Sequence, residues 1–124
     1  MAAVKGHDYA QAMLGACYYK GWGTTIDKSA AAKWTLRAAN QGLCEAQYSM
    51  GEYYVLAVGV RKDKVLAYMW LNLSAASTDP NSKAFMQLAK KFREQLSQKM
   101  SPDELIIARQ LSLEFKPKKE TIDP

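Results

Sequence analysis

With 124 residues, 48% hydrophobic, 10% aromatic and 23% charged, the chain has the composition of one globular domain and not of a disordered or fibrous protein. Seventeen Lys and Arg against twelve acids leave a net charge of +5, with the excess late in the chain, in "KKFREQLSQK" and "FKPKKE", so the protein is not basic throughout. No apolar run approaches the roughly 20 residues of a membrane span, the N-terminal "MAAVKGHDYA" has no apolar signal core, and Cys17, Cys44 and the single His7 have neither the number nor the spacing of zinc ligands.

In chain order, the first predicted helix spans 8–20, with Ala10, Leu14 and Tyr18 on one stripe at i, i+4 and i+8. "KGWGTTID" follows as a loop, in which Gly21 and Gly23 supply turn conformations and Asp27 stands as the N-cap of a second helix over 27–41. Ala31, Trp34 and Ala38 make that helix's stripe. The next two helices, 44–56 and 63–77, restate the first two: under a shift of 36 positions Ala10 meets Ala46, Gln11 meets Gln47, Gly15 meets Gly51, Tyr18 meets Tyr54, Gly23 meets Gly59, Asp27 meets Asp63 and Trp34 meets Trp70. A fixed period of this size signals stacked supersecondary units, each a helix pair. Gly15, Gly51, Ala31 and Ala67 are expected at close helix crossings, Trp34 and Trp70 as buried packing residues, and the two cysteines as small hydrophobes. A fifth helix over 82–99 carries a stripe of Phe85, Leu88, Ala89, Phe92 and Leu96. A sixth over 102–115 opens on a capping box, Ser101 with Glu104, with Pro102 at its first position, and runs inward through Leu105, Ala108, Leu111 and Leu113.

The motifs "LGACYYKGWG" and "AAAKWTLRAANQG", with the second copy "MGEYYVLAVGVRKDKVLAYMWLNLSAA", resemble the Sel-one-like repeat (SLR) family, relatives of the tetratricopeptide repeat. Ala57 departs from the pattern, standing where the family has the first loop glycine. The ending "KMSPDELIIARQLSLEFKPKK" is similar to the tail of many bacterial SLR proteins, so that the resemblance covers residues 2 to 118. It implies an all-α fold, a right-handed α-α superhelix (α-solenoid) of antiparallel helix pairs. The expected division is 2–6 as the end of a preceding repeat, 7–42 and 43–78 as two repeats, 79–118 as a degenerate capping pair, and 119–124 as a tail. Ala2, Ala3 and Gly6 fall in register with Ala38, Ala39 and Gly42, which leads to the expectation of a soluble C-terminal piece of a longer repeat protein, or a shortened gene product, with any export signal upstream. The first pair would then expose apolar surface, a route to self-association or fraying.

No residue pattern here performs chemistry: there is one His, no nucleophile beside a base in a known motif, no phosphate-cradling loop and no paired-carboxylate signature. The expectation is a non-enzyme without cofactor or metal. What the SLR resemblance implies is a protein-interaction module, in the manner of bacterial adaptors and scaffolds of the envelope, of secretion or of host contact. In tetratricopeptide-like stacks the first helix of each pair lines the concave face, which nominates Tyr9, Ala12, Ala16 and Tyr19 in the first unit and Glu45, Tyr48, Glu52 and Val55 in the second as contacts for a protein or extended peptide. The rival reading is an electrostatic binder of nucleic acid or an anionic surface through Lys83, Lys90, Lys91, Arg93, Lys99, Lys116, Lys118 and Lys119.

Overall fold

The computed structural model describes residues 7–120, which hold six α-helices and one 3-10 turn; there is no strand among them. Helices α1 (His7–Lys20) and α2 (Lys28–Asn40) form the first pair, α3 (Cys44–Leu56) and α4 (Lys64–Ala75) the second; after the 3-10 turn Pro80–Ser82 come α5 (Lys83–Ser97) and α6 (Pro102–Glu114). The chain is an all-helical α-solenoid.

Three of the helix starts have a local cause. The Asp27 side chain accepts from the Ala30 amide and the Asp63 side chain from the Leu66 amide, so one cap opens both second helices. At α6, Ser101 accepts from the Glu104 amide at 3.1 Å while Glu104 accepts from the Ser101 amide at 2.9 Å, completing the capping box. The intra-pair loops share their backbone hydrogen bonds: Trp22 N to Cys17 O (3.0 Å) and Asp27 N to Tyr18 O (2.9 Å) recur as Val58 N to Tyr53 O (2.9 Å) and Asp63 N to Tyr54 O (3.0 Å). Ala57 keeps this geometry by adopting the left-handed conformation, φ 57°, that Gly21 takes at φ 76° in the first copy.

Within each pair the helices cross where a side chain is missing. A Cβ on Gly15 would strike Thr35 Oγ1 and approach Ala31 O to 3.0 Å; one on Gly51 would meet Leu71 Cδ2 at 2.6 Å. Two adjoining clusters form the core. The first joins the pairs through Ala38, Ala39, Met50, Tyr53 and Trp70; the second gathers Ala67, Leu71, Ala89, Leu96 and Ala108 around α4. Helices α5 and α6 both pack against α4 and only sparsely against each other, so the C-terminal pair wraps the second repeat instead of restating its hairpin. Beyond α6 the chain turns back as a strap, residues 115–120. Phe115 meets the Trp70 ring edge to face at 5.5 Å, and the Lys118 amide donates to Asn40 O at 2.8 Å.

Equivalent positions in the two repeats differ in burial, and this corrects the expected core. Trp70 is buried, but Trp34 is only half-buried, with the Arg37 guanidinium 4.8 Å from its ring centre. Leu14 is 38% exposed where Met50, its counterpart, is fully buried, and Ala10 is exposed where Ala46 is buried. The cause is one-sided packing: α2 covers α3, while no described helix pair lies on the corresponding side of α1. The expected end of a preceding repeat, 2–6, lies outside the described residues, as do 121–124 of the expected tail. In α5 Leu88 is exposed. In α6 Leu113 is 81% exposed, because it stands five positions after buried Ala108, about 140° round the helix; Phe115 takes the inward place instead.

Candidate functional site

The first helices of the two pairs, α1 and α3, stand apart and leave a groove with α2 beneath it. Small side chains give it depth. Ala12, Met13 and Ala16 from α1 face Glu45, Ser49 and Tyr53 from α3, with Thr35 at the base and Tyr9 and Phe85 at one end, around a hollow of about 140 Å³. Sharing Ala16, Ser49 and Tyr53, a second hollow of about 220 Å³ continues it between Tyr19, Lys20, Glu52 and Leu56. Tyr19 and Tyr53 stack with ring centres 5.6 Å apart and planes 19° from parallel, which fixes two aromatic faces at the seam.

Charge in the groove is of one sign over most of its length. Burial raises the Glu45 carboxyl above the usual carboxylate range, and the neighbouring Asp79 and Asp8 raise it further. Burial also raises Glu52, an effect opposed by a hydrogen bond from the Tyr48 hydroxyl; Tyr48 itself is raised by burial and then by the Glu52 charge. A carboxylate in such surroundings lacks solvation and is stabilised by an incoming cation. Lys20 is the basic residue at the far rim.

The structure therefore brings six of the nominated residues, Tyr9, Ala12, Ala16, Tyr19, Glu45 and Glu52, to one groove. Tyr48 and Val55 do not line it: the Tyr48 ring meets Phe85 and Phe92 at 5.9 and 6.4 Å while its hydroxyl reaches Glu52, and Val55 packs against the cluster around α4 beside Phe92, so both seat α5 against α3. Sequence reasoning missed Met13, Ser49, Tyr53 and Phe85. Met13 was findable, since it lies four after Tyr9 and three before Ala16, and Ser49 is its equivalent 36 positions on. Phe85 was not, because only the packing of α5 brings it there.

The basic residues of the rival reading are divided between α5, the turn that follows it and the strap. Lys83, Lys90 and Lys91 are exposed along α5, while the Arg93 guanidinium donates to Asn72 Oδ1 at 2.7 Å and Lys99 borders a hollow with Val55 and Phe92. Lys116, Lys118 and Lys119 belong to the strap, where Lys119 Nζ lies 3.7 Å from Asp8 Oδ2. Among the described residues no group of three or more His, Cys, Asp or Glu is placed to hold a metal ion, and no helix is long and apolar enough to cross a membrane. Cys17 is half-buried and Cys44 buried, the latter against Ser74, whose hydroxyl donates to Cys44 O at 2.9 Å.

Known proteins match this architecture in sequence and in shape. The chain is similar to c5321, a protective antigen of uropathogenic Escherichia coli with an SLR fold: 32% identity and a TM-score of 0.71 over 92% of this chain and 23% of that one. It is also 35% identical over 80 residues to the chitin synthase regulator SKT5 of Saccharomyces cerevisiae, covering 63% of this chain and 12% of the yeast protein. The chain thus spans less than a quarter of the length of either relative. The Sel1 repeat model matches twice in tandem, at residues 8–43 and 44–79, the two helix pairs that build the groove. On repeat pattern and fold together, the chain belongs to the Sel1 repeat family.

Proposed function

We propose that the groove between α1 and α3 binds an extended peptide segment of a protein partner, one carrying a Lys or Arg next to apolar side chains, and that the chain acts as a non-enzymatic interaction module. Sel1 repeats form protein-interaction scaffolds; the finer reading rests on one observation, the convergence of Tyr9, Tyr19 and Tyr53 with Glu45 and Glu52 around a narrow trough. Tyrosine offers broad contact area at a small entropy cost, and the two carboxylates select a cation and discourage acidic segments. The trough is open along its length, which suits a strand of peptide better than an enclosed small molecule.

Fluorescence anisotropy against labelled ten-residue peptides varied in Lys, Arg and apolar content tests this. Basic-apolar peptides should bind best, the Glu45→Gln/Glu52→Gln double variant should weaken them about tenfold, and added salt should weaken binding only shallowly. A preference for acidic or nucleic-acid probes, with a steep salt slope and loss on Lys90→Ala/Lys91→Ala, would place binding on the basic residues of α5 and overturn the proposal.

A further inference from the structure

The strap ends in a polar cage that helix packing does not require. The Glu120 carboxylate takes hydrogen bonds from Arg37, Nη2 to Oε1 at 2.7 Å and Nε to Oε2 at 3.2 Å, and from Gln11 Nε2 at 2.9 Å; His7 Nε2 lies 3.0 Å from the same Oε1. The Glu120 amide donates to Gln41 Oε1 at 3.0 Å, and Gln41 Nε2 donates to Gln11 Oε1 at 2.8 Å. Gln11 and Gln41 are 3% and 2% exposed. Two buried amides and a bidentate guanidinium are thus held ready for a carboxylate on an extended backbone.

The repeat itself shows that this arrangement is additional. Shifted by 36, His7, Arg37 and Gln41 become Leu43, Leu73 and Ser77. Only Gln11 persists, as Gln47, and there the amide turns to Ala39 O at 3.3 Å. The second repeat folds without the cage, so the solenoid does not need it. Beside the strap lies an open hollow of about 830 Å³, bordered by Arg37 and Asn40 on one side and by the strap's own Phe115, Lys116, Lys118, Lys119 and Glu120 on the other. None of the cage residues lines the α1–α3 groove.

We infer that His7, Gln11, Arg37 and Gln41 form a second binding site, a carboxylate receptor for an extended segment with an aromatic anchor, a proline two positions later and a glutamate five positions later. Residues 115–120 are its intramolecular occupant, and a partner segment of the same chemistry displaces them. Phe115 on Trp70 and Pro117 beside Gly42 supply the apolar contacts, and Glu120 supplies the charge. Because the tethered strap competes at high effective concentration, the site is closed to weak ligands and opens to those that outbid a single Glu.

The probe is a labelled peptide of sequence LEFKPKKE, residues 113–120, titrated against the full chain and its Glu120→Gln variant. The variant should bind the peptide about tenfold more tightly than the parent chain, since its own strap has lost the charge-assisted bonds. A peptide ending in Gln should bind the variant about tenfold more weakly, and Arg37→Gln added to the variant should remove the difference between the two peptides. Equal binding of both peptides, or of both chains, would overturn the inference. So would loss of the helical circular dichroism signal in Glu120→Gln, since the Glu120 contacts would then be needed to hold the fold together and would not merely seat an occupant.

Discussion

Gly23 and Gly59 occupy the same place in successive repeats, with φ of 71° and 68°, yet replacing them by alanine should have unequal consequences. Both substitutions force a Cβ into the left-handed region, at a cost of about 1 kcal/mol. At Gly23 that is all, because nothing lies within 4 Å of the added atom. At Gly59 the Cβ would collide with the Lys28 carbonyl oxygen, reach its carbon at 2.7 Å and press on the Ala32 Cβ at 2.9 Å. These are backbone atoms of the first turn of α2 and a buried methyl, none of which swings aside, so the loop or the helix must shift at a further cost of about 1–3 kcal/mol. Gly23→Ala should therefore lower Tm by about 3–4 °C and Gly59→Ala by roughly 6–16 °C, on a scale of about 3–4 °C per kcal/mol for a chain of this size. Thermal melts followed at the helical circular dichroism band suffice. If the two variants melt together, the second loop does not pack on α2 as described, and the stacking of the repeats is wrong.

Four further outcomes are expected. Trp70→Ala should cost about 3–5 kcal/mol by opening a cavity against Phe115 and the Ala38–Ala39 surface, whereas Trp34→Ala, at a half-buried site, should cost about half as much in urea unfolding; the reverse order would refute the burial pattern. Ala57→Gly should raise stability by about 0.5–1 kcal/mol, because φ 57° is strained for any residue with a Cβ, and an unchanged midpoint would refute that strain. Arg37, then His7 and Gln11, hold the Glu120 carboxyl down to about 2, well below the usual carboxylate range; with the folded pKa depressed, its contribution is fully present above the ordinary glutamate pKa and lost as pH falls toward 2. Amide exchange at Lys118 and Glu120 should report that loss, and a carboxyl titration by NMR near the ordinary value would contradict it. Finally, the exposed Ala10 and Leu14 should leave residues 8–20 less protected in hydrogen exchange than 63–77, or drive dimerisation as concentration rises; a monomer with uniform protection would rule out an open face on α1.

The sequence by itself determined the repeats, the helices and the manner of their closest contacts. Asp27, Asp63 and the Ser101–Glu104 box open helices through bonds made within four residues, and Gly15 and Gly51 announce a close crossing simply by lacking a Cβ, so these features are legible without knowing what lies across the molecule. Most of the groove was legible too, but from two sources: helical spacing puts Tyr9, Ala12, Ala16 and Tyr19 on one face, and the resemblance to tetratricopeptide-like stacks is what pointed to that face. Only the tertiary structure decided what each face meets. Leu14 and Met50, Trp34 and Trp70, and Gly23 and Gly59 are paired by the repeat and separated by their neighbours, because burial belongs to two surfaces and a local pattern describes one. Tyr48 and Val55 left the groove when α5 packed over them, and Phe85 entered it by the same movement of chain. The strap is the extreme case: His7 and Glu120 stand 113 positions apart, and no periodicity links an extended C-terminal segment to the cage on α1 and α2 that receives its carboxylate.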